Sequence, residues 1–319
     1  MRWDDLPHWQ QHGSELVHTG YRQACGSVRG CLHSWTYIHN ETVNIYSHIV
    51  GAVVFLGLPF YIFSTSIPPR WQIASTVDII VCTTYLMGVT VCFIFSSLFH
   101  TFMSHSPTLY ASGMKMDFQG ILILMWSSTI PLVYYGFPCL PHVQALYLVS
   151  TTILALGCSA LTLIDAQDCK HWKVWWYLPR RVFTFRVDFS GPHLGHYRAA
   201  LFGTFGAVSF IVPIVHGIWL YGLGEYGNRV GLRRIGLTAV FNTVGVVIYT
   251  LKFPERWYPQ RFDLLGASHQ LMHIMVLCAA LSYAMAVISA FDYSHENKAV
   301  CVGWGVLGGY ERRFAVAKE

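Results

Sequence analysis

Six stretches of the chain carry no Asp, Glu, Lys or Arg, and each is dominated by apolar residues: 42–69, 79–114, 118–164, 199–224, 235–251 and 264–291. A helix needs about 20 apolar residues to cross the hydrocarbon of a bilayer, and buried soluble helices seldom run so far without a charge. The run 118–164 is too long for one crossing, and Pro138, Cys139, Leu140, Pro141 and His142 place a turn with two prolines in its middle. The pattern therefore predicts seven spans, at about 44–66, 77–100, 117–136, 143–164, 198–220, 234–251 and 266–290. Barrel strands would be about ten residues long with alternating polarity, which these are not. The expected architecture is an all-α, seven-transmembrane helix bundle over 41–291, flanked by an N-terminal segment, 1–40, and a C-terminal tail, 292–319.

Composition agrees: of 319 residues 54% are hydrophobic and only 12% charged, against roughly 25% charged in a soluble domain. The first 40 residues hold no apolar h-region, so the first span is expected to act as its own targeting signal. Nine cysteines, among them Cys82, Cys92, Cys158 and Cys278 within spans, lack the spacing of a disulfide framework or zinc ribbon and read as small packing residues. The net charge of +5 is spread over loops without a like-charge run or a nucleic-acid motif.

Lys and Arg set the expected orientation. The side holding the N-terminal segment and the second, fourth and sixth loops carries thirteen of them, and the other side, C-terminal tail included, carries eight. Basic residues favour the cytoplasm, which predicts a cytoplasmic N-terminus and an extracytoplasmic C-terminus, in either the plasma membrane or the endoplasmic reticulum.

With that topology three polar sets meet at the cytoplasmic end: Ser96 and His100 closing span two, Asp117 opening span three, and His269 and His273 opening span seven. Residues four apart share a helix face, so three imidazoles and a carboxylate can converge. Three neutral histidines leave a tetrahedral divalent metal one open position, the pattern of a catalytic zinc (Zn2+). Such a site suits hydrolysis of a carbonyl compound, with His100, His269 and His273 as metal ligands, Asp117 handling the proton of a water and Ser96 in support. The plainer alternatives are interfacial histidines that bond across helices, and an Asp117 that caps its helix. His8 with His12 and Ser14 with His18 repeat the spacing in the N-terminal segment, where they read as solvated surface. Glu41, Asn44 and His48 share one face of span one and read mainly as a capped helix start with bonds to neighbouring helices. Pro213 is expected to kink span five, with His216 or a water meeting the freed carbonyl.

Four segments then carry a resemblance: His39 to Ala52 (HNETVNIYSHIVGA), Ser96 to His105 (SSLFHTFMSH), Lys115 to Gly120 (KMDFQG) and Pro254 to His273 (PERWYPQRFDLLGASHQLMH). They resemble the signature segments of the progestin and adipoQ receptor family, which includes adiponectin receptors, fungal members and haemolysin-III related proteins. The resemblance covers all seven spans and is nearest to the fungal branch, tied to lipid and zinc homeostasis. It implies zinc on His100, His269 and His273, Asp117 near it through a water, and Ser96 in support. It also implies a cavity opening towards lipid and ceramidase-like hydrolysis of a fatty amide, with a ceramide, fatty acid or sterol-like molecule as partner. The alternative is a membrane receptor whose zinc is structural and whose signalling needs no hydrolysis. A zinc transporter would scatter ligands along the membrane depth, and a haem protein would absorb visible light. The loop 165–196, with Trp172, Trp175, Trp176, Tyr177, Arg180, Arg181 and Arg186, departs from the pattern and suits anionic lipid or an aromatic belt. Small residues such as Gly51, Ala52, Gly203 and Gly206 could pack helices within one chain or form a homo-oligomer.

Overall fold

The computed structural model describes residues 1–11, 15–64, 70–163 and 203–297. Among them there are helices and turns but no strand. Seven helices are long and apolar enough to span: α2 (Thr42–Ser64), α3 (Thr76–Phe102), α4 (Pro107–Gly136), α5 (Pro141–Leu163), α6 (Gly203–Tyr221), α8 (Leu232–Leu251) and α9 (Ser268–Glu296). Two short α-helices accompany them among the described residues, α1 (Val28–His33) before the first span and α7 (Leu223–Val230) between α6 and α8. The loop 165–196 and the tail beyond 297 lie outside the described residues, and α9 runs past the boundary expected at 291.

The helix ends are written in the residues beside them. Ser75 and Asp78 cap α3 reciprocally, Ser75 accepting from Asp78 N and Asp78 accepting from Ser75 N. Ser106 accepts from Leu109 N ahead of Pro107, whose missing N–H costs nothing in a first turn. α4 therefore starts ten residues before Asp117, where the apolar pattern predicts only a loop, because the cap and proline outrank hydropathy as a start signal.

α3, α4 and α9 form the centre. α3 and α4 approach closely at Gly88, where a Cβ would overlap Ser127 Oγ. Small residues permit such approach where packing, not water, drives helix association. Tyr85 OH donates to Ala280 O at 2.7 Å and Tyr283 OH to Ser128 O at 2.5 Å, satisfying buried hydroxyls across helices. Outer faces of α2, α5 and α8 expose Val53, Phe60, Leu146, Ile153, Leu156 and Val240, as an integral multi-pass membrane protein requires of its lipid contacts.

Two details correct the sequence reading. A π-helical turn, Ala207–Ile211, precedes Pro213 in α6, and His216 Nδ1 pairs with Tyr147 OH of α5 at 2.8 Å rather than with a carbonyl of its own helix. Cys139, in the turn between α4 and α5, is disulfide-bonded, unlike the buried free thiols Cys82, Cys92 and Cys158.

Candidate metal centre

The N-terminal segment is not a free tail. Asp263, in the loop before α9, accepts from His18 N at 3.1 Å, Thr19 N at 2.8 Å and Thr19 Oγ1 at 2.8 Å. This binds the segment across the end of the bundle where α3 finishes and α9 begins. His8 is exposed there, while His12 and Ser14 lie outside the described residues.

The start of α9 is held from two sides. Buried Glu255 accepts from Ser268 N at 2.8 Å and from Ser268 Oγ at 2.5 Å. One orphan backbone donor of the helix N-terminus and the Ser268 hydroxyl thereby meet a carboxylate, which the helix dipole also favours. Gln270 Nε2 donates to Asn40 O at 2.7 Å and to Leu264 O at 2.9 Å, and its Oε1 accepts from Gly266 N at 2.6 Å. His269 and His273, four residues apart, share one face of α9 and lie against His100 of α3.

There they meet His100, in the last turn of α3. One ring nitrogen from each of His100, His269 and His273 lies within 4.8 Å of the others. Ring centroids are 5.2 Å apart for His100 and His269, 4.8 Å for His100 and His273, and 4.9 Å for His269 and His273. His100 Nδ1 is 2.7 Å from Glu41 Oε2, which Asn44 Nδ2 also reaches at 2.6 Å. An ionised carboxylate only accepts, so Nδ1 carries the proton and Nε2 keeps its lone pair. That Nε2 is buried without a partner, as is His273 Nδ1. Buried ring nitrogens left unpaired in a polar cluster are costly unless something else takes the lone pair. The donor set and these orphan atoms fit a zinc ion, which prefers imidazole nitrogens and whose ligands draw in to about 2.0–2.1 Å.

Burial would raise the Glu41 carboxyl, but the neighbouring His100 and His269 rings and the hydrogen bonds from His100 and Asn44 outweigh it and hold it below the ordinary carboxylate range. Its role is thus more than capping the start of α2: it orients an imidazole of the trio. Glutamate and asparagine three apart signalled a shared face, but contact with His100 depends on how α2 packs on α3, which spacing does not carry. His48 stacks on His273, with centroids 4.1 Å apart.

Asp117 is half-buried in the third turn of α4. Capping is therefore not its function, since Ser106 does that work. Its carboxyl lies beside buried Ser96 of α3 and lines the same chamber as His100. Behind His100, buried Arg22 donates from Nη1 to Thr101 O at 2.9 Å and from Nη2 to the carbonyl of His100 itself at 2.5 Å. It closes the C-terminal end of α3 with the charge its dipole favours. No short motif marks Arg22, whereas Glu255 lies within the segment Pro254 to His273 that carries the resemblance.

His100 and His269 border a cavity of about 430 Å3. Its walls include Glu41, His100, Asp117 and His269, apolar residues Phe118, Ile121 and Met272 of α4 and α9, and Leu6, Val17 and Tyr21 of the N-terminal segment. One chamber thus joins polar groups able to handle water with apolar surface able to receive a chain.

A bundle of seven spanning helices with a largely buried histidine trio at one end defines a heptahelical integral membrane protein with a candidate metal centre. The chain belongs to the haemolysin-III related family, whose pattern matches residues 36–284. It is 31% identical over 293 residues to the ADIPOR-like receptor IZH2 of Saccharomyces cerevisiae, covering 92% of this chain and 84% of the yeast protein. The adiponectin receptor protein of Drosophila melanogaster is 33% identical over 276 residues, 86% of this chain and 56% of the fly protein. Heptahelical transmembrane protein 3 of Arabidopsis thaliana is 27% identical, over 93% of this chain and 89% of its own length. The family resemblance, its fungal members included, is borne out.

Proposed function

We propose that the chain is a zinc-dependent lipid amide hydrolase that cleaves ceramide-like substrates to an amine and a fatty acid. The observation that carries this reading is the set of buried, unpartnered nitrogens on His100 and His273 beside a half-buried carboxyl in a partly apolar chamber. Zinc on His100, His269 and His273 would supply a Lewis acid for the amide carbonyl and make a water acidic near neutral pH. Glu41 keeps the His100 tautomer and ring orientation fixed, as carboxylates behind metal-bound imidazoles do. Asp117, beside Ser96, stands to accept a proton from water and return it to the departing nitrogen. The apolar walls from α4 and α9 would take the acyl chain. In this reading the trio faces the cytoplasm, supported by the excess of basic residues on its side and by the disulfide at Cys139 on the other, since disulfides persist in oxidising compartments.

The test is metal analysis and product detection on one purified sample of the full chain. About one zinc per chain and release of fatty acid from ceramide are expected, with both lost in His100→Ala and only the second lost in Asp117→Asn. A metal-loaded protein that releases no fatty acid would refute hydrolysis and leave the second reading, a receptor with structural zinc, which the relatives named as receptors favour. For that receptor, Asp117→Asn signals normally with its metal in place.

A further inference from the structure

Ahead of the first span, two thiols face one another. Cys25 Sγ lies 3.0 Å from Cys31 Sγ, about 1 Å beyond a disulfide bond length. Both are free; Cys25 is exposed and Cys31 buried. The local fold builds this approach. Ser27 caps α1 by accepting from Gly30 N at 3.0 Å, which turns the first turn of α1 back over residue 25. Gly30 leaves the necessary room, because a Cβ there would meet Cys25 Cβ at 3.0 Å and Cys25 Sγ at 3.4 Å. Cys25 N donates to Ser104 O and Gly26 N to His105 O, each at 3.1 Å, pinning the backbone of this segment to the turn between α3 and α4. Two sulfurs are therefore held together by restraints that owe nothing to a bond between them.

We propose that Cys25 and Cys31 are a redox modification site that peroxide closes into a reversible disulfide. The Cys25 sulfur attacks hydrogen peroxide, the O–O bond breaks, and Cys25 sulfenic acid and one water result. The Cys31 sulfur then attacks the Cys25 sulfur, the S–S bond forms as the S–O bond breaks, and a second water leaves. Two thiols together lose two electrons and two protons, and one peroxide is reduced to two waters. A low-molecular-weight thiol such as glutathione reverses the bond through a mixed disulfide. The order of events follows access: peroxide reaches the exposed Cys25 first. Cys31 is the resolving partner, since it is buried away from peroxide with its sulfur 3.0 Å from that of Cys25. The bond would brace the segment three residues beyond Arg22, whose guanidinium holds the carbonyls of His100 and Thr101.

The test uses the full chain in detergent, treated with hydrogen peroxide, quenched, denatured and alkylated with N-ethylmaleimide, then read by intact and peptide mass. Oxidation is expected to remove two alkylatable thiols per chain and yield a peptide linking Cys25 to Cys31, both reversed by dithiothreitol. Cys25→Ser is expected to abolish the linked peptide and leave Cys31 alkylated; Cys31→Ser is expected to leave Cys25 in higher oxidation states. Gly30→Val, which pushes the Cys25 side chain away, is expected to slow closure at least tenfold while the protein elutes as the wild type does. The inference is overturned if wild-type Cys25 gains oxygen while Cys31 stays alkylatable, if either thiol crosslinks elsewhere, or if both resist peroxide.

Discussion

Removing the Glu255 carboxylate tests whether the start of α9 is held as the structure indicates. Glu255 and Ser268 are each 1% exposed, and the carboxylate takes both the amide and the hydroxyl of Ser268. Glu255→Ala leaves two buried donors without an acceptor in a space water reaches poorly. A hydrogen bond to a charged group contributes about 1.5–3 kcal/mol, and the favourable placement of a carboxylate at a helix N-terminus adds roughly 0.3–1 kcal/mol. The two bonds share one acceptor group and do not add fully, so a loss of about 3 kcal/mol is expected. For a chain of 319 residues that lowers the melting temperature in detergent by roughly 4–5 °C. Glu255→Gln keeps one acceptor oxygen and should lose about half as much. Metal content gives a second, separate readout. His269 follows Ser268 directly, so a frayed first turn disengages one imidazole of the trio, and zinc retention against a chelator should weaken roughly 10–100-fold. A Glu255→Ala protein that melts within a degree of wild type would refute the clamp. One that melts early yet retains zinc fully would separate the clamp from the metal site.

Glu41→Gln is expected to weaken zinc retention about 10–100-fold with a smaller change in melting temperature, measured by chelator competition, because it loosens only the orientation of His100. Gly88→Ala drives a methyl into Ser127 Oγ and places it 2.6 Å from Ser127 Cβ, so a loss of about 1–3 kcal/mol is expected in thermal unfolding. Gly57→Ala meets nothing within 4 Å and should be neutral or stabilising by up to about 1 kcal/mol, the helix preference of alanine. Burial, aided by Arg22, lowers His39 to about 4 from its ordinary 6.5. The unfolded chain therefore binds the proton first, and stability is full above about pH 6.5, falls on acidification towards pH 4, and is flat below as far as this group is concerned. A His39→Gln variant should show a shallower fall than wild type across that window in melting temperature against pH, and identical slopes would refute the assignment.

How much of this was legible in the residues depends on the distance over which each signal acts. Runs without charge announced seven spans because bilayer thickness imposes a length on each helix independently. The i, i+4 pairs Ser96 with His100 and His269 with His273 were readable for the same reason, since a helix face is local. The start of α4 was missed by ten residues because hydropathy is silent where a helix emerges from the bilayer; Ser106 followed by Pro107 was the available cue. Missing it gave Asp117 a capping alternative that its place in the third turn removes. Glu41 was seen to share a face with Asn44 and His48, but its bond to His100 joins residues 59 apart. Arg22, reaching 78 and 79 residues to the carbonyls of His100 and Thr101, is equally invisible to periodicity.

These long-range supports have a common physical origin. His100 and His269 sit at helix ends, where a helix frays and where its last carbonyls or first amides lack partners. The chain answers each end with a buried charge of the complementary sign: Arg22 at the C-terminal end of α3, Glu255 at the N-terminal end of α9. Each charge comes from a segment outside the spans, so the bundle alone would leave His100 and His269 on loose turns. Deleting residues 1–24 removes Arg22 and the partners of Asp263 together, freeing carbonyls on α3 and an acid in the loop that positions α9. The shortened protein should still insert with seven spans yet hold zinc at least tenfold more weakly than the full chain, read by chelator competition. Unchanged retention would mean that the helices fix the trio without the outer frame.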